Sequence, residues 1–206
     1  FITIIFINTL MHQKFILASS SKSRYKILKN AGLNFKQIKP NCNEENIKKN
    51  ITRKLKPETF AKKLSYEKAR SLSRQKKHLN KIVLGCDTII YHNRRILDKV
   101  NTIEKAKKKV RSLSGKTHLI ISGLTICING YKVWQNHETT YVKIRKLNNN
   151  EINAYFKKTG KQILSSVGCY QVESLGPNII ENIKGDYFNV MGLPLFNLLD
   201  YLYSEK

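Results

Sequence analysis

The sequence predicts a mixed α/β fold, a sheet with flanking helices that is not purely parallel. Three observations carry this. Stretches with helical and strand periodicity alternate along most of the chain. Ile82–Ile90 (IVLGCDTII) is a nearly continuous β-branched run, as in strands buried on both faces. Asn129-Gly130 separates two strand-like stretches and marks a hairpin, which a purely doubly wound sheet would lack. The 206 residues suffice for one domain with a sizeable core, or two lobes sharing a cleft.

In chain order, residues 1–10 (FITIIFINTL) are apolar but lack a basic flank and a small-residue cleavage site. Met11 opens a more natural start, so residues 1–10 are expected to be an upstream extension, with a degraded export signal as the alternative, and 11–206 the single domain. Phe15–Ala18 reads as a short strand. Ser19, Ser20, Ser21 and Ser23 follow, then a helix with Ile27, Leu28 and Ala31 on one face, stopped by Gly32. Pro57 opens a longer helix with an apolar stripe of Phe60, Ala61, Leu64 and Leu72. After the buried strand, a turn over 92–95 leads to a short strand, Ile96–Asp98. Thr102 is placed to cap a helix carrying Ile103, Ala106, Val110 and Leu113, ended by Gly115. His118–Asn129 is a strand, Asn129-Gly130 suits a type I′ turn, and Tyr131–Leu147 supplies the returning strands. Asn148 with Glu151 predicts a capping box for a helix with Ile152, Tyr155 and Phe156. The remainder reads strand, strand, then a helix opened by Pro194 with Leu195, Leu198, Leu199 and Leu202 on one side.

Composition narrows function less. Hydrophobic content of 41% with 9% aromatics argues against wholesale disorder. No apolar run approaches the ~20 residues of a bilayer-spanning helix. Lys+Arg of 38 against Asp+Glu of 14 gives a net charge of +24, which attracts polyanions: nucleic acid, an acidic membrane face or nucleotide phosphates. Abundant Lys, Ile and Asn would equally follow from an AT-rich genome, so charge alone selects none of these. Cys42, Cys86, Cys127 and Cys169 are far apart and form no CxxC pair, which excludes a zinc finger or disulfide scaffold and suggests a reducing, cytoplasmic setting.

Several residues could carry chemistry. The strand–LASSSKSR–helix stretch would present backbone N–H groups, Ser19 and Ser21 hydroxyls and the Arg24 guanidinium to an anion, although a serine N-cap with a solvated Arg explains the same residues. Asp87, inside a buried run, needs a cation or lysine partner unless it caps a strand end. Glu44 and Glu45 are paired acids in a basic chain, or an ordinary solvated loop. Lys68 lies near its helix's apolar face and Lys99 follows a short strand; each could neutralise phosphate or pair with Asp87, or be one lysine among many. The five histidines show no ligand spacing, and no catalytic triad order or nucleic-acid module is present.

Together these stretches resemble the Maf family of nucleoside triphosphate pyrophosphatases. The opening LASSSKSRYKILKNAGLNF is similar to the family's strand, serine loop and helix. CNEE (Cys42–Glu45), EKA (Glu67–Ala69), LGCDTII, ILDK (Ile96–Lys99), LSGKTH (Leu113–His118), SSVGCYQVESLG (Ser165–Gly176) and GDYFNVMGLPL (Gly185–Leu195) follow in the family's order. The resemblance spans about Phe15 to Tyr203.

The resemblance implies a Maf/inosine triphosphatase-like fold with two lobes around a central nucleotide-binding cleft. It implies hydrolysis of standard or modified nucleoside triphosphates to monophosphate and pyrophosphate with Mg²⁺ or Mn²⁺, in nucleotide-pool housekeeping with a link to cell-division arrest. Asp87 and Glu44 would be catalytic and hold the cation. Ser19, Arg24, Lys68, Lys99 and Glu173 would bind substrate. A homodimer acting on a nucleotide, with neither membrane nor specific nucleic acid as partner, is implied as well. The chain departs from the family pattern at Lys22-Ser23 (Pro-Arg or Ala-Arg in the family), Asn43 (Asp), Val100 (Pro) and Glu173. At Glu173 a thymidine- and uridine-selective subgroup carries Gln. A catalytically impaired member or a basic nucleic-acid-binding protein are the alternatives.

Overall fold

The computed structural model describes residues 14–50 and 55–204; the expected extension over residues 1–10 lies outside the described residues. The strands are β1 (Phe15–Ala18), β2 (Phe35–Ile38), β3 (Val83–His92), β4 (Arg95–Leu97), β5 (Thr117–Ile128), β6 (Tyr131–Ile144) and β7 (Ile180–Lys184). They form one sheet in the order β2-β1-β3-β5-β6-β7, with β4 paired to β3. β1 runs parallel to β2 and β3, while β3–β4 and β6–β7 are antiparallel, so the sheet is mixed as expected. The helices are α1 (Lys22–Asn30), α2 (Glu44–Asn50), α3 (Pro57–Ser73), α4 (Ile103–Leu113), α5 (Asn149–Thr159), α6 (Tyr187–Met191) and α7 (Leu195–Ser204).

The chain divides into two compact units, the first of residues 1–88, 122–138 and 192–206, the second of 89–121 and 139–191. In the first unit, Leu17, Leu28, Leu64 and Leu84 are fully buried. Here α3 lies directly on the sheet because two strand positions lack side chains. A Cβ on Gly85 would stand 2.1 Å from the Ser65 carbonyl oxygen and 2.7 Å from the Ala69 nitrogen. One on Gly123 would stand 2.4 Å from the Ala61 carbonyl. Removing those methyls brings the helix backbone within van der Waals reach of the strands.

In the second unit, α4 and α5 supply Ala106, Val110, Leu113, Ile152, Tyr155 and Phe156 to a core with Ile120 and Val142. Thr102 caps α4 by accepting from Lys105 N at 3.2 Å. The capping box of α5 is complete: Asn148 Oδ1 accepts from Glu151 N at 3.0 Å and Glu151 Oε2 from Asn148 N at 2.7 Å. In the β5–β6 hairpin, Asn129 and Gly130 have φ of 53° and 83°, as a type I′ turn demands.

Four local expectations are corrected. Ala31 lies outside α1, exposed, as its C-terminal cap. Glu44 and Glu45 open a helix where an ordinary loop remained open. The returning stretch after Gly130 is one strand ending at Ile144. Of the two strands expected before the last helix only one forms, and around Cys169 the chain turns with a left-handed φ of 58°. One strand, β7, and the short α6 precede α7 instead. All four cysteines are free, with Cys86, Cys127 and Cys169 buried. No helix among the described residues is long and apolar enough to cross a membrane.

Candidate active site

β1 ends at Ala18, and the serine loop turns directly into α1, capped by Ser21, whose Oγ accepts from Arg24 N at 3.4 Å. This puts Ser19, 3% exposed, at the β1–α1 junction. Its Oγ accepts from Ser21 N at 3.1 Å and from an Arg24 terminal nitrogen at 3.2 Å.

Asp87 follows Gly85 by two residues on β3, so both point to the same face of the strand. That is the face α3 covers at Gly85, and α3 presents Lys68 to it. The Lys68 ammonium bonds Asp87 Oδ1 and lies 3.0 Å from Glu44 Oε1 at the start of α2. The side chains of Lys68 and Asp87 are almost fully buried, while that of Glu44 is 45% exposed. Burial alone would lower the Lys68 pKa and Arg24 also opposes its charge, but the carboxylates of Asp87 and Glu44 outweigh both and raise it. Of the two lysines that could have paired with Asp87, Lys68 does so.

The two carboxylates thus turn hard oxygen donors toward one cationic point. Magnesium and manganese accept such donors with one or two carboxylates and take their remaining ligands from water and substrate phosphates. Among the described residues no group of three or more His, Cys, Asp or Glu side chains could hold an ion. Glu44 and Asp87 are therefore the side-chain donors here that could serve such an ion, with water and other ligands completing its shell.

Arg24 sits one turn into α1 and is 9% exposed. Its Nε donates to the Gly192 carbonyl at 2.8 Å and a terminal nitrogen donates to Thr88 Oγ1 at 3.0 Å. Thr88 Oγ1 also lies 2.7 Å from Ser122 Oγ and donates to the Gly192 carbonyl at 3.1 Å. Gly192, with φ of 106°, holds a backbone shape that a side chain would strain. Ser122 and Gly192 were not singled out from the sequence: one hydroxyl and one carbonyl from distant segments have no spacing signature. Thr88 was legible as part of the Asp-Thr motif, where by resemblance it matches the thymidine- and uridine-selective subgroup, but its partners here were not.

Ser19, Arg24, Glu44, Lys68 and Asp87 all belong to the first unit. Lys99 and Glu173 belong to the second unit, both exposed, Lys99 just after β4 and Glu173 in the turn before Gly176. Near the cluster, burial raises the Cys42 and Cys86 thiol pKa values, with Glu44 adding to the first; neither is poised as a thiolate nucleophile. What the cluster offers is carboxylate and ammonium chemistry.

A family model described as "Maf-like protein" matches residues 14–205. The "Nucleoside triphosphate pyrophosphatase" of Caulobacter vibrioides is 33% identical over 187 residues, covering 90% of this chain and 92% of that protein. The "7-methyl-GTP pyrophosphatase" of Brucella abortus is 34% identical over 197 residues, 95% of this chain and 98% of that protein. The "dTTP/UTP pyrophosphatase" of Thermosipho melanesiensis is 36% identical over 191 residues, 93% and 97% of the respective chains.

Proposed function

The chain belongs to the Maf-like protein family, and on that premise we propose that it hydrolyses nucleoside triphosphates to the monophosphate and pyrophosphate. The observation that carries this reading is the meeting of Glu44, Lys68 and Asp87 in the unit that also holds Ser19. Asp87 accepts a proton from the water that attacks the α-phosphorus. A new P–O bond forms there, the bridging oxygen to the β-phosphorus departs, and pyrophosphate carries off the electron pair. Lys68 offsets charge developing on the phosphate oxygens, and the Ser19 hydroxyl donates to one of them; Lys99 enters only through the family resemblance. Glu44 and Asp87 would hold a divalent cation that, when bound, neutralises the triphosphate and polarises it for attack.

The substrate is read from the relatives' names, which include 7-methyl-GTP and dTTP/UTP pyrophosphatases. The reaction suits removal of non-standard or excess nucleotides before polymerases use them; the division link enters only through the family. Four unpaired thiols support a reducing, cytosolic setting, and the family resemblance supports a homodimer.

The deciding experiment is a nucleotide panel. Purified protein is supplied with Mg²⁺ or Mn²⁺ and offered the standard triphosphates, dTTP, UTP and 7-methyl-GTP, with pyrophosphate release as readout. Turnover of at least one nucleotide is expected. A folded protein that turns over none is the impaired family member that Ser23, in place of the family's arginine, also allows.

A further inference from the structure

Arg24 is the one arginine inside the candidate site, yet its fork is turned into the protein. Among the described residues, three of its five N–H donors bond oxygen: one each on the Gly192 carbonyl at 2.8 Å, Thr88 Oγ1 at 3.0 Å and Ser19 Oγ at 3.2 Å. These acceptors come from three separate segments, and Arg24 as a residue is 9% exposed. A side chain held on three acceptors at that burial is a brace, and the direction of each bond decides what it braces.

Ser19 Oγ has two lone pairs, and both are taken, by Ser21 N and by Arg24. Its own O–H proton is therefore left to donate, so Arg24 fixes the polarity of this hydroxyl. Thr88 is saturated in the same way. It accepts from Arg24, donates to Gly192 and completes its set with Ser122. A locked Thr88 fixes the backbone beside Asp87. We propose that Arg24 is a positioning residue, which makes the Ser19 hydroxyl an obligate donor and anchors Thr88, and with it Asp87, rather than a clamp on the phosphates. This rests on the pyrophosphatase reading above.

A double-mutant cycle tests it. Arg24→Gln is expected to lower kcat about 10²-fold, the scale of a small misplacement of reacting groups, while KM stays within about twofold. Arg24→Lys, which keeps the charge but loses the fork, is expected to fall as far. Combining Arg24→Gln with Ser19→Ala is expected to cost no more than about twofold beyond the worse single change, as for residues acting in series. A KM rise of about tenfold with kcat retained, rescue by Arg24→Lys, or multiplicative losses would each overturn the proposal. If Arg24→Gln does not fold, Thr88→Val replaces it: lost kcat at unchanged KM supports the brace, and unchanged kcat overturns it. If the wild type turns over no nucleotide, the pyrophosphatase reading fails by itself. Thermal unfolding of Arg24→Lys, Thr88→Val and their combination then decides the brace, coupled shifts in Tm supporting it and additive ones overturning it.

Discussion

Lys68 and Asp87 meet because Gly85, two residues before the aspartate on the same strand face, lets α3 lie against β3. Neither charge would be tolerated alone at that burial, since removing one partner of a buried pair leaves an uncompensated ion. The pair is thus a consequence of a missing methyl group, and the methyl is the first thing to restore.

Gly85→Ala puts a carbon 2.1 Å from the Ser65 carbonyl oxygen, a backbone atom that cannot swing aside. The helix must move off the strand, and Lys68 moves with it. The expected loss is about 3 kcal/mol in urea unfolding, at the upper end for overpacking, together with reduced turnover. A variant as stable as the parent would mean that α3 is not held where the glycine allows.

Asp87→Asn preserves shape and removes both the proton acceptor and the carboxylate facing Lys68. Pyrophosphate release is expected to fall about 10³-fold, within the usual range for loss of a general base, and the protein is expected to fold at reduced stability, because Glu44 still faces the buried Lys68 ammonium at 3.0 Å. Full activity would take Asp87 out of its role. Because the folded-state pKa of Lys68 is raised above the ordinary 10.5, the pair's contribution to stability is present below that pH. It is lost only as pH climbs through the raised value, so the ammonium adds no slope near neutrality.

The sequence showed the parts of this site that are local. Ser19 to Arg24 could be read as an anion loop because strand, cap and helix are contiguous, and Asp87 stood out as an acid inside an apolar run. Which lysine would meet Asp87 was not legible, because that depends on α3 docking at Gly85, a contact about twenty residues away in the chain. The Arg24–Thr88–Ser122–Gly192 network was invisible for the same reason, being assembled by folding from residues of ordinary type. β2 was missed because FKQI is short and only half-buried, and its pairing with β1 is tertiary.

By the family resemblance, Glu173 is expected where the thymidine- and uridine-selective subgroup carries glutamine. A carboxylate can only accept hydrogen bonds, whereas an amide both donates and accepts, so the two should read different base edges. Glu173→Gln is expected to raise kcat/KM for dTTP and UTP relative to the purine nucleotides. An unchanged ratio across the panel would detach this residue from base selection.

His118 is a buried histidine of the second unit. It is 1% exposed, Nε2 lies 2.5 Å from the Tyr170 hydroxyl, and Nδ1 has no partner among the described residues. Burial, aided by the positive field of His92, pushes its pKa from 6.5 to about 4. The folded protein therefore holds His118 neutral while the unfolded chain protonates it below about pH 6.5. Stability from this group is full above that pH and declines as pH falls toward 4, by about 3 kcal/mol in all. His78, also lowered by burial and by Lys77, adds a slope of the same sign. The difference between wild type and His118→Gln isolates the buried ring. The variant should be less stable at pH 8 but flatter between pH 6.5 and 4, whereas parallel urea-unfolding curves would show that His118 is already charged in the folded state.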